Sequence, residues 1–159
     1  MKSMVLYDSV YGNTEKVARA IAAVLAQAGD VEIQPVSAVT AEQLSGLDLL
    51  VVGSPTQAFG PIQATKDFLK SLKGKSLEGV KVAAFDTRMD VKVVKSAVLT
   101  FMAGIFGYAA EKIGKGLKSA GGVEAIAPAG FFVTGNEGPL TEGELERAVA
   151  WAHDVLKNL

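Results

Sequence analysis

Ser9, Asn13 and Thr14 stand close together around Gly12 in the stretch Asp8-Ser9-Val10-Tyr11-Gly12-Asn13-Thr14. Two hydroxyls, a carboxamide and a permissive glycine make no nucleophile and base, but they suit an anion. The apolar run Val5-Leu6-Tyr7 before them reads as a strand. Val17, Ile21, Val24, Leu25 and Ala28 after them recur at helical spacing. The loop therefore opens onto a helix N-terminus, where unpaired N–H groups and a partial positive charge favour a bound anion. A phosphate is expected there, held by main-chain amides and hydroxyls without a basic side chain. No Gly-Lys-Ser/Thr closes the loop, so it is not a Walker loop, and a lone Gly12 is not a dinucleotide fingerprint. An N-cap by Asn13 with a turn accounts for the same residues without a ligand.

Two further loops carry candidate chemistry. Gly53-Ser54-Pro55-Thr56-Gln57-Ala58-Phe59-Gly60-Pro61 is long for a strand-to-helix connection and holds an aromatic outside any helical stripe. Phe59 would stack on a flat ring or tuck back against the following helix. Gly60-Pro61 reads as a turn. Asp86-Thr87-Arg88-Met89-Asp90 is polar between two apolar segments, and Arg88 would meet either an anion or solvent.

These loops need elements to position them. Residues 47–53 form a nearly continuous apolar run, the mark of a strand covered on both faces. Residues 31–36 alternate apolar with polar, and Pro35 fits an edge strand. Residues 80–86 give another strand. Residues 123–133, interrupted by Pro128, give a bulged strand or two short ones. Helical stripes fall at Ala64, Phe68, Leu69 and Leu72, and at Val94, Ala97, Val98, Phe101, Met102 and Ile105, resuming through Ile113 and Leu117. A last one runs over Leu145, Ala148, Val149, Ala152, Val155, Leu156 and Leu159, opened by a capping box from Thr141 to Glu144. Five strands alternating with five helices imply right-handed βαβ units and a three-layer α/β sandwich, one domain over residues 1–159. In such a sheet ligands gather at the carboxyl ends of the strands. Loops 8–14, 54–61 and 86–90 are expected to converge there.

Composition narrows the function. The chain has 159 residues, 49% of them hydrophobic and 21% charged, and a formal net charge of −1. That balance offers no basic surface for nucleic acid. The absence of cysteine excludes disulfides, thiolate metal sites, iron–sulfur clusters and thiol nucleophiles. His153, the single histidine, falls off the apolar stripe of the last helix and reads as a surface residue, and Trp151 as boundary packing. The uncharged run 96–110 is broken by Gly104 and Gly107 and is too short to span a membrane. No secretory leader precedes the first strand, so a cytoplasmic protein is expected. Phe101, Phe106 and Tyr108 are expected to pack in the core, with a homodimer surface as the alternative. Lys70, Lys73 and Lys75 read as a solvated helix end.

The chain resembles the flavodoxin-like family over nearly its whole length. Ser9-Val10-Tyr11-Gly12-Asn13-Thr14 is similar to the family's FMN phosphate loop, Gly53-Ser54-Pro55-Thr56 to the start of its second flavin loop, and Ala84-Phe85-Asp86-Thr87 to the start of its third. Tyr11 replaces the second small hydroxyl of that phosphate loop. This form resembles the flavodoxin domains of multidomain flavoproteins and quinone-reductase relatives. The third loop lacks the aromatic that covers the outer flavin face, and the chain lacks the acidity of many flavodoxins. The resemblance implies a five-stranded parallel sheet in the order 2-1-3-4-5. It implies FMN as cofactor, held by Ser9, Val10, Tyr11, Gly12, Asn13, Thr14, Pro55, Thr56, Gln57, Ala58, Phe59, Gly60, Asp86, Thr87 and Arg88. The peptide Gln57-Ala58 or Phe59-Gly60 would hydrogen-bond flavin N5. Arg88 near the ring would favour the anionic reduced flavin, and Asp86 and Asp90 would disfavour it. The implied function is electron transfer between redox protein partners. The alternatives are an FMN-dependent NAD(P)H:quinone-type oxidoreductase and a flavodoxin-fold binding module without FMN.

Overall fold

The computed structural model describes residues 1–72, 74, 76–91 and 95–159. Lys73, Lys75 and Val94, which enter the basic run and the helical stripe above, lie outside the described residues. Seven strands are formed among the described residues: β1 (Lys2–Tyr7), β2 (Asp30–Pro35), β3 (Leu49–Gln57), β4 (Gly60–Pro61), β5 (Lys81–Met89), β6 (Val123–Glu124) and β7 (Ala129–Val133). Among the described residues the named α-helices are α1 (Asn13–Leu25), α2 (Gln63–Ser71), α3 (Ala97–Phe106), α4 (Ala109–Ser119) and α5 (Glu144–Lys157).

The parallel sheet runs β2-β1-β3-β5, and β6 and β7 share the last position beside β5. Setting aside the hairpin strand β4, this is the expected 2-1-3-4-5 order. The fifth strand is split around Pro128, which has no N–H to donate to a ladder. β2 is an edge strand and ends on Pro35, as its alternating pattern requires.

Period-two alternation sends successive side chains to opposite faces, and both faces are covered. Met4, Leu6, Leu50, Val52, Val82 and Ala84 meet Phe68 of α2 and Ile113 and Leu117 of α4 on one side. Val5, Leu49, Val51, Ala83 and Phe85 meet Val17, Ile21 and Leu25 of α1 and Ala148, Ala152 and Val155 of α5 on the other. Gly53 sits where β3 crosses the ring of Phe85: a Cβ there would stand 2.1 Å from the ring. Trp151 packs at the boundary, edge-on to Phe85 and Phe131, with ring centroids 6.4 and 6.3 Å away, and His153 is exposed.

Three local expectations are corrected. α5 is not opened by a capping box. Gly143 is its N-cap, in a left-handed conformation, and the Glu144 carboxylate turns instead to the Phe132 amide (2.6 Å) and to Arg147. Leu145 and Val149 are exposed, because this pairing turns the face through Ala148, Ala152 and Val155 inward. Phe101 and Phe106 are not core residues: both are exposed on α3, and neither is part of the two apolar clusters. Apolar content alone does not say whether a helix is buried. Among the described residues, no helix is long and apolar enough to cross a membrane.

Candidate functional site

The first loop is built as a cradle. The Asp8 amide donates to Gly53 O (2.9 Å), tying the end of β1 to β3. Gly12, not Asn13, takes the N-cap position of α1, with φ +88°. A Cβ at Gly12 would meet nothing within 4 Å, so the backbone conformation, not space, asks for glycine. Asn13 reaches away from the helix end and donates through Nδ2 to Glu137 O (2.9 Å). The Lys16 amide makes the first helical bond, to Gly12 O (3.1 Å). The amides before it belong to the unpaired set of a helix start. Two amides of the segment, Gly12 N and Glu15 N, donate to Ser9 Oγ at 3.1 and 3.4 Å. Ser9 Oγ thus acts as an acceptor where an anion's oxygen would be received. The buried Thr14 hydroxyl lies 2.7 Å from that of Thr87.

The second segment differs from the expected loop. β3 continues through Gln57, and Thr56 and Gln57 pair antiparallel with Pro61 and Gly60. The turn is Ala58-Phe59, not Gly60-Pro61, and both residues have positive φ, +46° and +61°. Two left-handed residues in a two-residue hairpin match its twist, a place where Asn-Gly is the usual solution. Here the tip is held from outside. Lys112 Nζ donates to Phe59 O, and the Phe59 ring lies on Phe106 of α3, with centroids 5.8 Å apart. Ala58→Gly is expected to stabilise the apoprotein by roughly 0.5–1 kcal/mol, the relief of left-handed strain less the glycine's greater unfolded-state freedom. Urea denaturation measures it; a shift toward lower midpoint would contradict the turn.

The third set lies on a strand rather than a loop. β5 runs to Met89 because both neighbours extend beside it, Ser54 opposite Asp86 and Pro55 opposite Thr87 on one side, Gly130 to Val133 on the other. Asp86 is fully buried. Its carboxylate accepts from Arg88 Nε (2.6 Å) and a terminal guanidinium nitrogen (2.8 Å), from Thr56 Oγ1 (3.1 Å) and from the Ala110 amide at the start of α4 (2.9 Å). Burial pushes the Asp86 carboxyl up from its ordinary range, against the downward pull of Arg88, the Ala110 amide and Thr56. Arg88 also lies over the Tyr108 ring, 3.7 Å from its centroid, and Gly130 leaves it room. Arg88 and Asp86 therefore do not act as two separate charges: each offsets the other.

A fourth loop, 134–138, completes the site and was not anticipated. It leaves the end of β7 and is folded back by Thr134 N to Pro139 O (2.9 Å) and Gly138 N to Gly135 O (3.1 Å). Gly138, at φ +99°, makes room for Asn13, whose side chain a Cβ would meet at 2.4 Å. The signal was present: an apolar strand running into Gly135-Asn136-Glu137-Gly138 repeats the strand-to-small-residue pattern of the first loop.

These strand ends surround one cavity of about 430 Å³. Ser9, Val10, Tyr11, Asn13 and Thr14 line it from the first loop, and Pro55, Thr56, Gln57 and Ala58 from β3 and the turn. Thr87, Arg88 and Met89 line it from β5, and Val133, Gly135 and Asn136 from β7 and beyond. Gly12, Asp86, Phe59 and Gly60 belong to the supporting structure and do not line the cavity. Arg88 is the one cation among the described lining residues, and it is paired.

This chain matches the family model described as Flavodoxin over residues 5–151. The structure is similar to oxidised Flavodoxin 2 from Bacillus cereus, with a TM-score of 0.76, 24% identity and 100% of both chains covered. It is similar to oxidised Flavodoxin 1 from the same organism at TM-score 0.76 and 20% identity, over 100% of this chain and 99% of the other. The rubredoxin oxygen:oxidoreductase of Desulfovibrio gigas matches 98% of this chain with 35% of its own, at TM-score 0.75 and 21% identity. At these identities the structural likenesses establish the fold. The family match over residues 5–151, added to an amide-lined cradle at the switch point of the sheet, places this chain in the flavodoxin family of FMN-binding electron-transfer proteins.

Proposed function

We propose that this flavodoxin is a cytoplasmic carrier moving electrons between two redox proteins, with no substrate site of its own. The observation that carries the reading is the cradle at Ser9. Amides of Gly12 and Glu15 converge on Ser9 Oγ at the mouth of α1, and Ser9 lines a cavity of about 430 Å³, in the range of small-ligand sites. The residues present fit FMN. The phosphate would take the place of Ser9 Oγ on those amides, with the Ser9 and Thr14 hydroxyls beside it and Tyr11 and Asn13 at the rim. Pro55, Thr56, Gln57, Ala58, Thr87, Arg88 and Met89 would flank the ring system. Bound FMN supplies the redox chemistry.

The chain's own contribution is to bind, orient and shield. The Phe59 carbonyl is taken by Lys112, and Gln57 and Ala58 line the cavity where Phe59 and Gly60 do not, which favours the Gln57-Ala58 peptide as the partner of flavin N5. The Asp86–Arg88 pair keeps the floor of the cavity near neutral while fixing the start of α4. Titrating the apoprotein with FMN and with riboflavin tests the reading. FMN is expected to bind at least a hundredfold more tightly, because only it brings a phosphate to the cradle. Equal affinities, or none, would overturn it. A quinone reductase would also oxidise NAD(P)H in the presence of a quinone, and the carrier reading expects no such turnover.

A further inference from the structure

We infer that α3 is the docking face for a redox protein whose own contact surface is apolar and uncharged; this rests on the electron-carrier reading above. From Ala97 to Phe106 the helix carries no charged residue, and of its ten residues only Ala103 is buried. Val98, Phe101, Ile105 and Phe106 are 67, 69, 60 and 52% exposed. A helix apolar on every side belongs under cover, and here the rest of the chain leaves it open. Taking roughly 150–200 Å² for a fully exposed side chain of this size, the four present roughly 400 Å² of apolar surface. That is the size of the largest apolar patch on a typical monomer, which is often functional.

Area and position select the occupant. Matched by a partner, the patch buries roughly 800 Å² in total, with a rim beyond it. That falls short of what a stable homodimer needs and lies in the class of short-lived redox encounters. The patch is also joined to the cofactor cavity. Phe106 lies on Phe59, the neighbour in the turn of the cavity-lining Ala58. Tyr108, just past the helix, stacks beneath Arg88, another cavity-lining residue. A protein seated on α3 therefore sits beside the mouth of the cavity. The ten residues of α3 carry no charge to select an oppositely charged partner, and the chain's net charge of −1 gives little long-range steering. Apolar burial must supply the affinity.

The test is the rate at which an NADPH-dependent flavodoxin reductase reduces the FMN-loaded protein, followed by stopped flow. The wild-type rate is expected to change less than about twofold between about 50 and about 500 mM NaCl, where charge-driven docking would be screened away. Phe101→Gln and Val98→Gln each slow it about tenfold, with FMN affinity, flavin spectrum and melting temperature unchanged. A rate untouched by both substitutions, or one that falls steeply with salt, overturns the docking face. So does a concentration-dependent dimer in sedimentation that Phe101→Gln dissolves, since a second copy would then be the occupant. Failure of the wild-type protein to accept electrons at all would instead defeat the carrier reading.

Discussion

Asp86→Ala is expected to lower the unfolding free energy of the apoprotein by about 3–5 kcal/mol, the cost of removing one partner from a buried ion pair. The loss is large because Asp86 is not only the partner of Arg88. It also accepts the Ala110 amide at the start of α4 and the Thr56 hydroxyl, which in turn accepts the Ala109 amide (2.9 Å). Alanine leaves a guanidinium with little exposure and an orphaned helix-start amide. Against a total stability of about 5–15 kcal/mol, the variant is marginal. Urea denaturation followed by circular dichroism measures the change. Asp86→Ala combined with Arg88→Met is expected to recover much of it, because the second substitution removes a little-exposed guanidinium left with only the Glu111 carboxylate, 4.0 Å away, as counter-charge. A loss under about 1 kcal/mol for the single variant would mean that the pair is not buried as described.

Ser9→Asp is expected to move stability and cofactor affinity in opposite directions. A carboxylate in place of the hydroxyl gives the Gly12 and Glu15 amides a charged acceptor at the N-terminus of α1. That stabilises the apoprotein by about 1 kcal/mol. The same carboxylate occupies the cradle and repels a phosphate, so FMN affinity falls about a hundredfold or more. Riboflavin, which has no phosphate, binds the variant as it binds the wild type. Ser9→Ala separates the two effects: it removes the acceptor from the amides without adding charge, and costs stability while leaving the cradle open to phosphate. Thermal melts and fluorescence titrations of both variants measure the pair of effects. Equal losses of FMN and riboflavin affinity in Ser9→Asp would place the phosphate elsewhere.

The layered architecture and the tight loop opening onto α1 were legible from residue types alone, because each depends on short-range pattern. Period-two and helical spacing mark the strands and the helix they feed. Ser9 Oγ and the Gly12 and Glu15 amides meet within a few residues of chain. The order of the strands and the identity of the cofactor came with the resemblance to a family rather than from spacing. Tertiary structure decided what depends on partners distant in sequence. Asp86 and Arg88 read as a polar loop, but β7 and α4 supply the neighbours and the donor that let them remain in a strand, paired and buried. Ala58 and Phe59 read as part of a loop, with Phe59 stacking on a flat ring or tucked against the following helix. Lys112 and Phe106 hold them in a left-handed turn that neither residue would choose locally. Asn13 read as part of the anion loop or, alternatively, as a cap, yet its side chain donates to Glu137 O in the loop after β7. The apolar pattern of α3 suits a core helix as well as a docking face. Only the packed fold distinguishes them, because burial is a property of what surrounds a helix and not of its sequence.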